Sequence, residues 1–261
     1  NENIFLGALI ALIVTAVALI PFTNQLVNLS KTIVKDEPEK PARHPELTGL
    51  SENLYISPAV ALSEATKAIA FMGSVALSNF RRCVKQLVGY DPALSDEIAE
   101  DESALDQFSD KADHFLIGLS KYVETDADNH QLDMLLQTIP SFERIGDYAT
   151  NLEEIGEKLH AEKTNFSEKA IKELNILTGA VDEILSTTIQ ALTDNDTELA
   201  KTIEPLEEVI DDMVRLLKDR HTKRLKNGSC SVTSGLVFMD AMTHLERASD
   251  HCSAIAVLML A

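Results

Sequence analysis

Two stretches of this chain join carboxylates to an arginine in one pattern: Glu143-Arg144-Ile145-Gly146-Asp147 and Glu246-Arg247-Ala248-Ser249-Asp250. Two others hold the same Glu-to-Asp spacing, Glu102 with Asp106 and Glu207 with Asp211. Residues four apart lie on one face of a helix, so each pair aims two carboxylates the same way. A single pair says little. With 42 acids in 261 residues, roughly seven such pairs arise by chance. Four pairs at matching places in two halves do not. Like charges at this spacing cost a few tenths of a kcal/mol without a counter-ion, which points to a bound cation. Hard carboxylate oxygens suit Mg, Ca, Mn or iron rather than thiolate-loving metals.

The elements that carry these pairs read as helices. Leu132, Leu135, Leu136, Ile139, Phe142, Ile145, Ala149, Leu152, Ile155 and Leu159 recur at threes and fours, and no stretch alternates as a strand would. Breaks at 89–92, 125–129, 163–165, 194–196 and 227–228 delimit helices over roughly 58–88, 93–124, 128–161, 167–193, 197–226 and 232–260. Pro140 and Pro205 fall inside two of them and are expected to kink them. The motif pairs sit on the second and third helix of each set of three. The expected fold is all-α: two tandem antiparallel three-helix bundles, 58–162 and 163–261. In such a bundle Glu102 and Asp106 face Glu143 and Asp147 across a groove, and Glu207, Asp211, Glu246 and Asp250 repeat the arrangement.

A different world precedes the bundles. Residues 3–22 carry no charge and match the length of a bilayer-spanning helix. A signal peptide is the rival, with Ala16-Val17-Ala18 resembling a cleavage site, but a basic leader is missing and the apolar run continues. A buried core helix is the third reading. Residues 1–35 are read as a transmembrane helix, the last span of a longer protein. Lys31, Lys35, Lys40 and Arg43 follow the span and place the bundles in the cytoplasm. Residues 36–57, with Pro38, Pro41 and Pro45 among charges, read as an extended linker.

The net charge of -19 excludes a phosphate-backbone binder, so no nucleic-acid partner is expected. Cys83, Cys230 and Cys252 form neither a disulfide framework nor a thiolate zinc site and read as small buried side chains. Only Glu157 and His160 have the Glu-x-x-His spacing of di-iron bundles, at a helix end. His221, His244 and His251 read as surface or packing residues, and Arg144 and Arg247 as helix-surface arginines. Nucleotide-loop, dinucleotide and nucleophile-elbow motifs are absent, and no catalytic residue is assigned.

The duplicated plan with Glu-Arg-Ile-Gly-Asp-Tyr-Ala-Thr-Asn and Glu-Arg-Ala-Ser-Asp-His resembles the PhoU family of phosphate regulators. The apolar span, the linker and the stretch Ser57–Thr66 resemble the C-terminal tail of bacterial sodium/phosphate cotransporters, which fuse a membrane domain to a cytoplasmic PhoU-like domain. That resemblance implies metal ligation by Glu102, Asp106, Glu143, Asp147, Glu207, Asp211, Glu246 and Asp250. The implied ions are divalent or trivalent: iron, Mn, Mg or Zn. It also implies regulation of sodium-dependent phosphate uptake at the bacterial plasma membrane. The expected partners are the phosphate-transport membrane domain of the same protein, the membrane itself through residues 3–22, and a second copy of the chain as a homodimer. His251 stands where the first half has Tyr148, so the second site is expected to differ in coordination or pH response. A carboxylate-bridged metalloenzyme and a metal-free acidic docking module are the alternatives.

Overall fold

The protein's computed structural model describes residues 43–228 and 232–261. The proposed span at 3–22, the first part of the linker and Cys230 lie outside them. Seven α-helices occur among the described residues: α1 (Pro58–Gln86), α2 (Pro92–Leu119), α3 (Asp126–Ala161), α4 (Glu168–Asp194), α5 (Thr197–Ala200), α6 (Ile203–Lys226) and α7 (Val232–Leu260). No strand is present among those residues, in line with the all-α expectation.

Helix starts follow from local chemistry. Asp91, with Pro92 behind it, accepts a hydrogen bond from the Ala93 amide at 3.0 Å, and Thr125 accepts one from Asp128 at 3.1 Å. Such caps satisfy donors that the first turn leaves open and each contribute about 1 kcal/mol. One expectation fails. The helix read over 197–226 is two pieces, α5 and α6, with a turn at Lys201 and Thr202. Pro205 has no amide hydrogen for the Lys201 carbonyl and its ring crowds that carbonyl, so the helix restarts instead of kinking. Through Pro140, by contrast, α3 runs unbroken.

Helices α1, α2 and α3 pack on one another, and so do α4, α6 and α7. The halves meet where α1 lies on α4 and α3 on α7. Each contact joins a helix to its own repeat counterpart, as an isologous interface does. Phe80, Phe108, Phe142 and Phe238 are fully buried in one core that runs through both halves. Close approach is specified at Gly156 of α3, where any Cβ would overlap the Gln86 backbone at the end of α1.

Among the described residues one helix, α1, is long and apolar enough to cross a membrane. Most of it is buried against α2, α3 and α4, which is the position of a core helix.

The described part of the stretch read as an extended linker is folded. Residues 43–57 form a strap with 3₁₀ turns at Pro45–Thr48 and Glu52–Ile56, packed on α1 and α2. Asp101 of α2, fully buried, anchors its start: it pairs with Arg43 Nε at 2.7 Å, His44 Nε2 at 2.9 Å and Arg82 of α1. Leu47 is buried, and the Tyr55 hydroxyl donates to the Phe115 carbonyl at 2.9 Å.

Candidate metal centre

The heptad-like spacing of α2 turns Leu105, Phe108 and Ala112 into the core and leaves Glu102 and Asp106 on the flank that meets α3. On α3, Phe142, Ile145 and Ala149 are buried, which brings Glu143 and Asp147 to the same seam. Glu102, Asp106 and Asp147 converge there, with one carboxylate oxygen of each within 4.8 Å of the others. In the second half Glu207 and Asp211 of α6 and Asp250 of α7 do the same, again within 4.8 Å. Gly146 fits this approach: a Cβ there would stand 3.1 Å from Leu105 Cδ1.

Six of the eight sequence-predicted acids therefore form two equivalent triads. Glu143 and Glu246 do not join them. Glu143 accepts a hydrogen bond from Ser109 Oγ at 2.8 Å, and Glu246 pairs with Lys218 Nζ at 2.6 Å. Both remain at the edge of their groove, since Glu143 repels Asp106 and Asp147, and Glu246 repels Asp250.

Electrostatics mark both triads as short of positive charge. Burial, then Asp106 and Asp147, push the Glu102 carboxyl above its ordinary range. Burial, then Glu143 and Asp110, do the same to Asp106. Asp147 is raised by burial and Glu143, with Arg144 opposing. In the second groove burial, Asp211 and Asp250 raise Glu207, while burial, Asp211 and Glu246 raise Asp250. Asp211 Oδ1 is buried and accepts no hydrogen bond. An all-oxygen triad with an unmatched buried oxygen fits a hard cation held by carboxylates. Neither triad contains a histidine or a cysteine.

The grooves differ in ways that sequence reading missed. Asp110 and Asp113 extend the first one, and Asp113 is pushed up by burial, Glu143 and Asp110. At the matching place on α6 stands Lys218, the partner of Glu246. Carrying the Glu102–Glu207 register along the helix pairs Asp113 with Lys218, so the signal was present. His251 is a packing residue on the interface of the two halves. Its ring and that of its counterpart Tyr148 pack 5.8 Å apart on the seam of α3 and α7, and His244 lies 5.9 Å from the same tyrosine. His221 packs on Phe238 at 4.9 Å, and His160 on Tyr90 at 5.3 Å. Arg144 is exposed and 3.9 Å from Asp147, a weak contact. Cys83 and Cys252 are buried, with their thiols pushed up to about 12 by that burial.

A tandem pair of three-helix bundles, each with a carboxylate triad between its second and third helix, defines the class. Residues 69–155 and 174–259 each match the PhoU domain model, and the chain belongs to that family. It is 29% identical over 119 residues to the phosphate-specific transport system accessory protein PhoU homolog 1 of Thermotoga maritima. That match covers 46% of this chain and 50% of the relative, so the chain spans about half the length of the curated relative it matches. The fold is that of PhoU from Pseudomonas aeruginosa, with a TM-score of 0.71 at 18% identity, covering 79% of this chain and 97% of that one. The phosphate transport system regulatory protein PhoU from Streptococcus pneumoniae also gives 0.71, at 17% identity, over 78% and 95%.

Proposed function

We propose that the chain is a cytoplasmic regulatory domain that binds metal ions in its two grooves and modulates sodium-dependent phosphate uptake by a membrane domain of the same protein. The observation that carries this reading is the convergence of two repeat-equivalent triads, Glu102/Asp106/Asp147 and Glu207/Asp211/Asp250, in a PhoU-domain chain. Relatives named as accessory and regulatory proteins of phosphate transport support the regulatory part. The uncharged run at 3–22, followed by Lys31, Lys35, Lys40 and Arg43, supports attachment to a membrane with the bundles on the cytoplasmic side. We read the domain as a regulator and not an enzyme.

A tethered domain acts on a transporter by contacting one conformational state better than another. Tethering supplies high effective concentration, so weak docking is enough. Metal loading changes the charge of the groove faces and with it that contact. The test is phosphate uptake by the parent transporter truncated after Val34. We expect transport to persist and to lose its restraint, giving excess uptake. Neutralising the six triad acids together should give the same phenotype. A truncated transporter that reaches the membrane yet carries no phosphate would make the domain part of the transport machinery and end the regulatory reading.

A further inference from the structure

Asp101, whose carboxylate holds the strap, and Glu102, whose carboxylate belongs to the first triad, are consecutive residues of α2. They point about 100° apart around the helix, so Asp101 turns to α1 and the strap while Glu102 turns to the seam with α3. Packing holds the preceding stretch only lightly: between Pro92 and Glu100 the one buried residue is Ile98. Polar ties hold it instead. Ser95 donates to Glu153 of α3 at 2.5 Å, and Asn79 of α1 donates to the Ile98 carbonyl at 3.3 Å. The densest group of ties converges on the strap. Arg43 reaches Glu97 at 3.2 Å, Glu100 at 2.7 Å and Asp101 at 2.7 Å, and His44 Nε2 reaches Asp101 at 2.9 Å. Arg82 joins Glu97 at 3.5 Å and the same aspartate. Arg43 therefore fastens the turn of α2 that leads directly into Glu102.

We propose that the docked strap positions Glu102 for the first triad, so that metal binding in the first groove and packing of the strap reinforce each other, while the second groove fills independently of the strap. The inference rests on the metal-binding function proposed above. A cation that joins Glu102 and Asp106 to Asp147 fastens α2 to α3, and the strap fastens the same turn of α2 on its other side. Each restricts the same lightly packed stretch, so the ordering that one imposes no longer opposes the other. Such coupling is reciprocal: the factor by which the strap strengthens metal binding is the factor by which metal strengthens strap docking. The second half is an internal control. The register that equates Glu102 with Glu207 places Leu206 where Asp101 stands, and Leu206 cannot hold an arginine. The connection from Ala161 to Glu168 is too short to run as a strap. Arg220 and Arg224 of α6 pair with Glu173 of α4, within the bundle and at the opposite end of α6 from Glu207. The strap is also where the chain enters the bundles, which gives the first groove a covalent route to the residues before 43 that the second lacks.

Hydrogen exchange and manganese titration of the full chain in detergent test it in two backgrounds. Glu207→Ala with Asp211→Ala and Asp250→Ala leaves only the first groove; Asp106→Ala with Asp147→Ala leaves only the second. With the first groove alone, saturating manganese should slow exchange over 43–57 by about fivefold or more; with the second alone, exchange there should not change. Reciprocally, Arg43→Ala with His44→Ala should weaken manganese binding to the first groove by the same factor and leave the second groove's affinity as it was. Unchanged exchange across the α4–α6 half shows that the strap variant keeps its fold, and the manganese arm needs no strap variant at all. If manganese fills the first groove and exchange over 43–57 stays the same, or if the strap variant weakens both grooves alike, the coupling is overturned and the metal reading stands. If manganese binds neither groove, the metal reading falls and the coupling with it.

Discussion

Lys218 sets the two grooves apart at the level of single residues. Its ammonium sits 2.6 Å from Glu246 and supplies a positive charge that the first groove lacks. Replacing it with Met should tighten metal binding in the second groove, by up to about fivefold for a partly exposed pair. Calorimetric titration of that variant against the wild type checks the direction; unchanged or weaker binding contradicts it. The triad carboxyls also make stability depend on pH. Each raised carboxyl takes up its proton in the folded chain at a higher pH than in the unfolded chain. Metal-free protein should therefore become more stable as pH falls from neutral toward the ordinary carboxylate range, and lose that gain as pH rises through the raised folded-state values. Saturating metal at neutral pH should remove the repulsion and flatten the profile, which thermal unfolding with and without metal reads directly. The acid pairs were legible because residues four apart share a helix face whatever the tertiary structure. That Glu143 turns to Ser109 was not, because that contact depends on how α2 and α3 are rotated against each other.

Elements carry the architecture through a few close contacts. Gly156→Ala forces a methyl into the Gln86 backbone and should cost about 1–3 kcal/mol, since backbone has little room to move aside. Urea unfolding measures it. The strap depends on Asp101, which is 0% exposed and faces Arg43, His44 and Arg82. Asp101→Ala takes the buried acceptor from Arg43, Arg82 and His44 and should cost about 1–3 kcal/mol, since Glu97 and Glu100 still pair the two guanidiniums. Hydrogen exchange should rise over 43–57 in that variant while the α4–α6 half keeps its protection; uniform loss across the chain would contradict a local role. Helix positions and the repeat were readable from apolar spacing and from breaks such as the one at 89–92. The strap was not, because three prolines among charges read as a linker, and only the fold shows that Asp101 is buried and needs its cations. The break before α6 was signalled by Pro205, whose effect in a first turn is to reset the helix start.

For the whole molecule, the two halves form one body through α1 on α4 and α3 on α7, with Tyr148 and His251, repeat counterparts, in contact on that seam. A change in one groove thus lies one helix pair away from the other, through α3 and α7. Both grooves are expected to hold metal. Elemental analysis of the purified full chain, after exposure to iron or manganese and removal of loosely held ions, tests it most directly when run beside a variant with Asp106→Ala and Asp147→Ala. We expect at least one ion per groove in the wild type and about half the total in the variant, with the second groove still loaded. A wild-type chain that retains no metal, or a variant with undiminished content, would contradict the claim.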